Sequence, residues 1–386
     1  MTGRERLQAT LKGEPVDRPA VSFHEIGGFL IDPKDPDPYN IYNSPSWQPL
    51  LDMAYNQTDI IRMVSPVRAQ SHLSWNGSSN SGIREKYVDQ KVWEENNSRF
   101  TRLTFRINGK ELTSLTRRDF NLDTVWTVEY LLKNNDDARL YLTLPDEVFE
   151  ENIDIEHLME EEKKLGDRGI ILVDTEDPLC AVASLFNLED FTILAYTDQD
   201  LCHKLLEKHA RFIHKRTEKV ANEFPGRFWR IYGPEYATEP FLPASFFNEY
   251  VVRYDGPMVK MIKDQGGIVR IHSHGRIKKV IDQIVAMGAD AIDPIEPPPQ
   301  GDVELKFMRE NYGKNLVLFG NIEISDLENM PSELFRKTVR KSLDDGTSGE
   351  GRGFVLMPSA SPYGRDISER TYRNYKIMIE EAGRTY

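Results

Sequence analysis

The sequence is poor in cysteine and has no long hydrophobic run. Only Cys180 and Cys202 occur among 386 residues, and no Cys-x-x-Cys pair is present, so no disulfide framework is indicated. No apolar stretch approaches the roughly 20 residues that a membrane-spanning helix needs. Residues 1–20 lack the apolar segment of a signal peptide. Together, these absences predict a cytoplasmic protein that does not bind a membrane.

Basic residues are outnumbered by acidic ones, with 49 Lys and Arg against 62 Asp and Glu and a net charge of −13. There is also no lysine- or arginine-rich block. Binding the phosphates of a nucleic acid requires basic patches, so nucleic acid is not an expected partner. Hydrophobic residues make up 39% and charged residues 29%, which indicates a folded globular protein.

Apolar, strand-like runs recur along the chain and alternate with helical segments. Short apolar strands without polar alternation are typical of parallel sheets that are buried on both faces. Eight strand–helix units predict an α/β fold, a (β/α)8 TIM barrel, in one domain over residues 1–386. A doubly wound sheet is the alternative, but no Gly-x-Gly-x-x-Gly follows the first strand. The predicted strands begin near residues 19, 59, 169, 228, 268, 289, 316 and 354.

Residues 70–145 differ from this repeating pattern. The run 99–107 alternates polar and apolar residues and is followed by Asn108-Gly109, which predicts a β-hairpin. We interpret 70–145 as an antiparallel β-rich insertion after the second strand. Its tryptophans either pack on the barrel or form a contact with a second copy of the chain, which leaves a homo-oligomer open. They are Trp75, Trp93 and Trp126.

Two histidines end the apolar run that begins at Gly267. Residues two apart in a strand point to the same face, so His272 and His274 are predicted to face one place. Imidazoles that converge at a strand end suit a metal site or an acid/base site. Alternatively, one histidine is a packed core residue and the other belongs to a loop.

Polar side chains also follow the other predicted strands, where the active site of a TIM barrel lies. Burying such polar residues at a strand end costs free energy unless they are paired or take part in binding or catalysis. Alternatively, the acidic ones cap helices, and the asparagine bonds the backbone of its own turn. These residues are His24, Glu25, Ser65, Asp174, Glu176, Tyr232, Glu235, Asp293, Glu296, Asn321 and residues 358–361.

Several segments, in order along nearly the whole chain, resemble the uroporphyrinogen decarboxylase family. The run His272-Ser273-His274-Gly275 is similar to the family's His-x-Cys-Gly segment. The resemblance implies a (β/α)8 barrel, in agreement with the strand count. The other similar segments are Arg4 to Leu7, Gly13 to Pro19, Ala289 to Asp293, Phe319 to Ile322 and Gly353 to Leu356.

One branch of the family, the true uroporphyrinogen decarboxylases, uses no cofactor and binds substrate carboxylates with an Arg-Gln-Ala-Gly-Arg segment. The matching segment here is residues 24–28, His-Glu-Ile-Gly-Gly, without either arginine. Ser65 stands where the family has a catalytic aspartate, and residues 357–361 contain no histidine. A polyanionic substrate would bind poorly without its arginines. A decarboxylase for a smaller acid would need another cation, for which the candidates are Arg62, Arg270 and Arg365.

The other branch consists of corrinoid-linked methyltransferases, which bind zinc through His-x-Cys and a later cysteine. Here His274 stands in place of the first cysteine and Ala360 in place of the second. Two histidines and a carboxylate are still a recognised zinc set. Glu235 is the expected third ligand, and Asp293 or Glu296 would orient an imidazole.

The resemblance and the His-x-His run together favour a methyltransferase. We expect it to move a methyl group between a small methylated substrate and a corrinoid or thiol carrier, with a corrinoid protein as a partner. His272, His274 and Glu235 are the expected catalytic residues and zinc ligands. A decarboxylase and a non-catalytic tetrapyrrole- or protein-binding barrel are the alternatives. The expected substrate-binding residues are His24, Glu25, Tyr232, Asp293, Glu296, Asn321 and Tyr363.

Overall fold

A computed structural model describes residues 1–67 and 81–384 of the chain, and the strands in this part form two sheets. In chain order the strands are β1 (Ala20–Val21), β2 (Ile60–Val64), β3 (Val88–Glu95), β4 (Ser98–Ile107), β5 (Lys110–Asp119), β6 (Val125–Glu129), β7 (Gly169–Glu176), β8 (Phe228–Tyr232), β9 (Ile268–His272), β10 (Ala291–Asp293), β11 (Val317–Ile322) and β12 (Phe354–Pro358).

Helices follow most strands of the larger sheet. The segment Asn248–Val252 is a π-helical turn that joins α10 to α11. The helices are α1 (Gly3–Lys12), α2 (Glu25–Gly28), α3 (Gln48–Gln57), α4 (Ser81–Tyr87), α5 (Asn135–Tyr141), α6 (Ile155–Leu165), α7 (Pro178–Ala183), α8 (Leu188–Thr197), α9 (Gln199–Glu223), α10 (Ser245–Phe247), α11 (Arg253–Asp264), α12 (Ile281–Met287), α13 (Leu305–Tyr312), α14 (Ile324–Asn329), α15 (Ser332–Thr347) and α16 (Glu369–Ala382). No helix of the described residues is long and apolar enough to cross a membrane.

The larger sheet contains eight parallel strands in the order β1-β12-β11-β10-β9-β8-β7-β2. Every strand predicted from the sequence corresponds to one of them. The order follows the chain, so the two consecutive strands β1 and β2 form the two ends of the sheet. This is an α/β fold with a TIM-barrel-like parallel sheet, which confirms the predicted fold class at that level.

The two ends of the sheet are joined by Asp59, which immediately precedes β2. Its backbone N–H donates to the carbonyl of Val21 at 2.8 Å. Its buried carboxylate accepts from the backbone N–H of Val21 at 2.9 Å and from Arg18 Nη1 at 2.9 Å. Arg6 of α1 adds an ion pair to the other carboxylate oxygen at 2.5 Å. One buried carboxylate therefore connects β1, β2 and the first helix.

The inner face of the larger sheet has its own apolar cluster, separate from the core that lies between sheet and helices. Leu7 and Leu11 of α1 belong to this cluster and close the N-terminal end of the strands. Strand β9 contributes Arg270 instead of an apolar residue, with only 1% of the residue exposed and its guanidinium 4.9 Å from the ring centre of Phe319. Because side chains alternate along a strand, His272 is the next inward residue of β9 and lies at the C-terminal end.

The smaller sheet is antiparallel, with strands in the order β3-β4-β5-β6, and it follows β2 in the chain. Asn108 (φ 51°) and Gly109 (φ 77°) form the two-residue turn between β4 and β5. Both positive φ angles suit the tight hairpin turn that Asn-Gly favours, so the predicted hairpin is confirmed. The extent of the insertion, 70–145, stays a prediction, because its first residues lie outside the described part.

The insertion's tryptophans have different environments. Trp126 of β6 is 47% exposed. Trp93 stacks on Phe100 with ring centres 5.4 Å apart. Trp75 lies outside the described residues. A contact between copies through this sheet therefore stays a prediction.

Two segments with helix-like sequence are only partly α-helical. Residues 276–280 form a loop and a turn before α12 begins at Ile281, and no side chain caps this helix. In the acidic segment 146–165, Asp146–Val148 is a short 3-10 helix, and α6 begins at Ile155, where Asp154 caps it by accepting from the N–H of His157.

The substitution Asp59→Asn removes the charge that joins the two ends of the sheet while nearly keeping the side chain's shape. We expect the free energy of unfolding to fall by about 3 kcal/mol, because the buried ion pairs of Asp59 with Arg6 and Arg18 are lost together. Urea denaturation followed by circular dichroism measures the change. The control is Asp344→Asn on the exposed face of α15, with an expected change below about 0.5 kcal/mol. Equal effects of the two substitutions would contradict this role of Asp59.

Candidate active site

The innermost part of the site is a row of three side chains on β9 and β10. Asp293 is fully buried, and its two carboxylate oxygens lie 3.0 Å from Arg270 Nε and 2.7 Å from His272 Nδ1. Burial acts to raise the pKa of Asp293, but the charge of Arg270 and the bond to His272 outweigh it, so this pKa lies well below its usual range. Asp293 is therefore a carboxylate that accepts a hydrogen bond from His272 and forms an ion pair with Arg270.

His272 is neutral at physiological pH. Burial lowers its pKa to about 4, against the opposing effect of Asp293. Since the ionised Asp293 can only accept a hydrogen bond, the single proton of the neutral ring lies on Nδ1. The Nε2 atom of His272 is then a lone-pair donor that can take a proton or bind a metal.

His274 has a similar partner, but its pKa is shifted in the opposite direction. Its Nδ1 lies 2.8 Å from Glu296 Oε1, and the other oxygen of Glu296 accepts from the backbone N–H of Gly275 at 2.6 Å. Burial acts to lower the pKa of His274, but the hydrogen bond and the charge of Glu296 outweigh it and raise this pKa above its usual value. His274 is therefore protonated more readily than His272, although the two ring centres are only 4.7 Å apart.

A third imidazole, that of His24, lies on the other side of His272. The rings of His24 and His272 are stacked with their centres 6.0 Å apart. Burial and the charge of Arg230 hold the pKa of His24 well below its usual value. The backbone of His24 has φ 55° and ψ −117°, which a non-glycine residue adopts only under strain. The strained turn keeps a neutral imidazole beside His272.

Strands β7 and β8 supply a second ion pair and an aromatic ring. Arg230 is buried and binds Asp174 through two contacts of 2.6 and 2.9 Å. Its guanidinium lies 5.2 Å from the ring centre of Tyr232, which is level with His272 in the strand register. Arg230 is also level with Arg270 of β9, so two buried arginines lie side by side, each with its own carboxylate.

Glu25, Glu235 and Glu323 also lie at this end of the sheet and have no ion-pair partner among the described residues. Burial raises the pKa of all three, and that of Glu323 rises to about 7. Oε2 of Glu235 and Oε1 of Glu323 are buried without a hydrogen-bond partner in the part of the chain that the structure describes. A positive charge on His274 acts to lower the pKa of each of the three carboxyls.

Most residues expected from the sequence come together here. The cluster contains His24, Glu25, Tyr232, Glu235, His272, His274, Asp293 and Glu296. The structure does not bring two others to it. The side-chain oxygen of Asn321 accepts from Ser342 on α15, in the helix layer. Tyr363 is 53% exposed, and its carbonyl accepts from Asp123 beside the antiparallel sheet.

The arginines considered for a decarboxylase also lie in different places. Arg270 is inside the sheet, as its strand parity predicted, but it is paired with Asp293. Arg62 donates to the carbonyl of Phe29. Arg365 donates to Asn43 and to the carbonyl of Phe120 near the surface.

Two residues of the site were missed by the sequence reasoning. Arg230 is the single charged residue in the apolar run 228–232, and a charge with the parity of an inward residue was the available signal. Glu323 directly follows β11 and was passed over in favour of Asn321, although both lie at the same strand end. Its burial could not be seen from its neighbours in sequence.

The side chains fit the expected zinc only in part. His272 and His274 each bond a carboxylate through Nδ1, which is the arrangement that orients imidazole ligands toward a metal. Within residues 1–67 and 81–384, however, no group of three His, Cys, Asp or Glu side chains is arranged to hold a metal ion. Glu235 is near His274 but does not complete such a group.

Comparisons with known proteins agree with the fold. A family model described as uroporphyrinogen decarboxylase (URO-D) matches residues 153–363, just over half of the chain. A methyltransferase from Methanosarcina mazei has a TM-score of 0.59 at 14% identity and covers 99% of this chain and 98% of its own; at this identity the likeness shows the fold alone. A D-psicose 3-epimerase has a TM-score of 0.35 at 11% identity, covering 64% of this chain and 84% of its own. No curated protein sequence matches the chain.

The substitution Glu296→Gln tests the charged state of His274. Without the carboxylate, burial dominates, and we expect the pKa of His274 to fall from above 6.5 to below it. A raised histidine pKa stabilises the fold below pH 6.5, and this stabilisation is lost as the pH rises through the folded-state pKa. The variant should therefore lose stability at pH 6 more than at pH 9. Two-dimensional ¹⁵N NMR of the imidazoles measures the pKa, and an unchanged value would contradict the assignment.

Proposed function

The chain belongs to the uroporphyrinogen decarboxylase (URO-D) family, and from that premise we propose that it is a methyltransferase that works at the C-terminal end of its parallel sheet. It moves a methyl group between a small methylated substrate and a corrinoid or thiol carrier. The proposal uses His272, His274 and the carboxyls around them as the working groups.

The observation that carries the proposal is that two adjacent histidines, each bonded to a carboxylate, have pKa values shifted in opposite directions. His272 has a pKa near 4 and a free Nε2, whereas the pKa of His274 is raised above its usual value. Neighbouring groups whose environments push their pKa values apart are suited to serve as base and acid in one reaction. The pair can take a proton at one position and deliver one a few ångströms away.

Methyl transfer to a thiol needs both of these proton movements. Nε2 of His272 takes the proton of the thiol as its sulfur forms the new S–C bond. The bond from the methyl carbon to the substrate's heteroatom breaks, and the imidazolium of His274 donates its proton to that heteroatom. A corrinoid, when bound, supplies the nucleophile or the methyl donor, and then only one of the two histidines has to move a proton.

Two further observations support methyl transfer over the other branch of the family. The solved structure that covers nearly the whole chain is named a methyltransferase. Arg230 and Arg270, the buried cations of β8 and β9, are each paired with an aspartate. A substrate with many carboxylates would have to compete with these aspartates for both arginines.

The expected zinc at His272, His274 and Glu235 stays a prediction. Two imidazoles with carboxylate partners could supply two ligands, and the metal would then activate a thiol as a Lewis acid. Because the described residues contain no arranged group of three donors, we derive no step through the metal.

Decarboxylation of a small carboxylic acid is the second candidate. The observation that favours it is Arg230, a buried cation near His24 and His272 that could stabilise a developing negative charge. Both of its bonded nitrogens, however, are held by Asp174. We therefore prefer methyl transfer.

The test incubates the protein with methylcobalamin and a panel of thiols and follows the cobalamin absorbance and the methylated thiol. We expect transfer by the wild type, and His272→Gln should slow it by about 100-fold or more because the base is lost. Transfer should persist in EDTA, because no three His, Cys, Asp or Glu side chains of the described residues are arranged to hold a metal ion.

His157→Gln on α6 is the matched control and should leave the rate unchanged. No transfer with any thiol, and no methyl loss from methylated ethers or amines, would contradict the proposal. Release of carbon dioxide from small acids would favour the second candidate. Cobalamin binding without any spectral change over time would favour a non-catalytic barrel.

A further inference from the structure

We infer that the methyl-bearing group of the substrate is a cation, either a quaternary ammonium or a protonated methylamine, bound by Glu25, Glu235 and Glu323 beside His274. The inference rests on the proposed function for the reaction but not for the binding. It names the class of substrate that the site is charged to accept.

Carboxyl groups outnumber cations at the strand ends. Arg230, Arg270 and His274 are paired with Asp174, Asp293 and Glu296 respectively. Arg276, after β9, is an exposed cation without an ion-pair partner among the described residues. Four further carboxyl groups have no such partner either, namely Glu25, Asp177, Glu235 and Glu323, so the excess is acidic. A positively charged ligand offsets this excess, and an anionic one increases it.

Two of these carboxyls have unused acceptor atoms. Glu323 is 7% exposed, and while its Oε2 lies 3.4 Å from the hydroxyl of Ser359, its Oε1 has no partner among the described residues. Oε2 of Glu235 is buried and likewise without a partner there. Buried polar atoms are normally satisfied, so each unsatisfied one calls for an explanation. A cation bound at the strand ends would give these oxygens a partner.

The same burial affects protonation. It raises the pKa of Glu25 and Glu323, because an ionised carboxyl is costly when nothing compensates it. A bound cation would lower these pKa values and keep the carboxyls charged.

An organic cation suits the site better than a divalent metal ion. No three of the described His, Cys, Asp and Glu side chains are arranged around a common point for a metal. A methylated ammonium is larger, needs no fixed coordination geometry and is attracted by carboxylates and aromatic rings. Tyr232 supplies such a ring, level with His272 in the sheet.

The reaction remains balanced for such a substrate. A quaternary ammonium that gives its methyl group to a thiol leaves a tertiary amine, and the thiol loses a proton. His272 takes this proton, His274 donates one to the amine, and the product is an ammonium ion. Substrate and product are then both cations, and the three glutamates serve both.

The test measures binding without turnover. Isothermal titration calorimetry, with EDTA present, compares choline with 3,3-dimethyl-1-butanol, in which a neutral carbon replaces the quaternary nitrogen. We expect the wild type to bind choline at least about tenfold more tightly than the neutral alcohol. Glu235→Gln and Glu323→Gln should each weaken choline binding by about tenfold and leave the alcohol unaffected. Glu218→Gln, an exposed glutamate on α9, is the matched control and should change neither affinity.

Equal affinity for choline and the neutral alcohol would overturn the inference, and this comparison needs no variant. Choline binding that ignores both site substitutions would also overturn it. Methyl transfer from neutral ethers without choline binding would refute this inference and keep the proposed function. Choline binding without any methyl transfer would support this inference and contradict the proposed function.

Discussion

The site depends on one buried carboxylate, that of Asp293. It lies between a fully buried arginine and a buried histidine, and it is the only described carboxylate that contacts both. Without it, Arg270 would be an unpaired charge inside the sheet, at a cost that a fold of marginal stability cannot carry. By accepting from His272 it also determines which nitrogen of that ring keeps the proton. The same carboxylate therefore stabilises the buried arginine and orients the imidazole of His272.

The register of two neighbouring strands brings these side chains together. Asp293 of β10 pairs directly with His272 of β9, so both side chains are positioned by the sheet and not by a loop. The sheet itself is kept curved by Asp59, which joins its two ends, and α1 fills the N-terminal opening with leucines. The C-terminal end carries the histidines, and the unpaired glutamates there follow strands or turns of three different parts of the chain. Catalytic groups at the C-terminal ends of several strands are the usual arrangement of such folds.

Much of this was available from the sequence, because strand periodicity is a local property. The eight strands, the common face of His272 and His274, and the inward direction of Arg270 all follow from alternation within short runs. Contacts between residues that are distant in sequence do not follow from alternation. The bonds of Glu296 to His274 and of Asn321 to Ser342 on α15 form between segments that are brought together only by packing. Arg230 illustrates both cases. Its position in the strand indicates an inward side chain, but the sequence does not reveal its partner, Asp174 on the neighbouring strand.

The most direct test of the account is the protonation state of His272, read from its ¹⁵N chemical shifts by NMR in the wild-type protein. The account predicts a neutral ring at pH 7 with the proton on Nδ1 and a free Nε2, charging only near pH 4. A charged His272 at pH 7, or a proton on Nε2, would contradict it, because the ring would then have no lone pair to take a proton from a thiol.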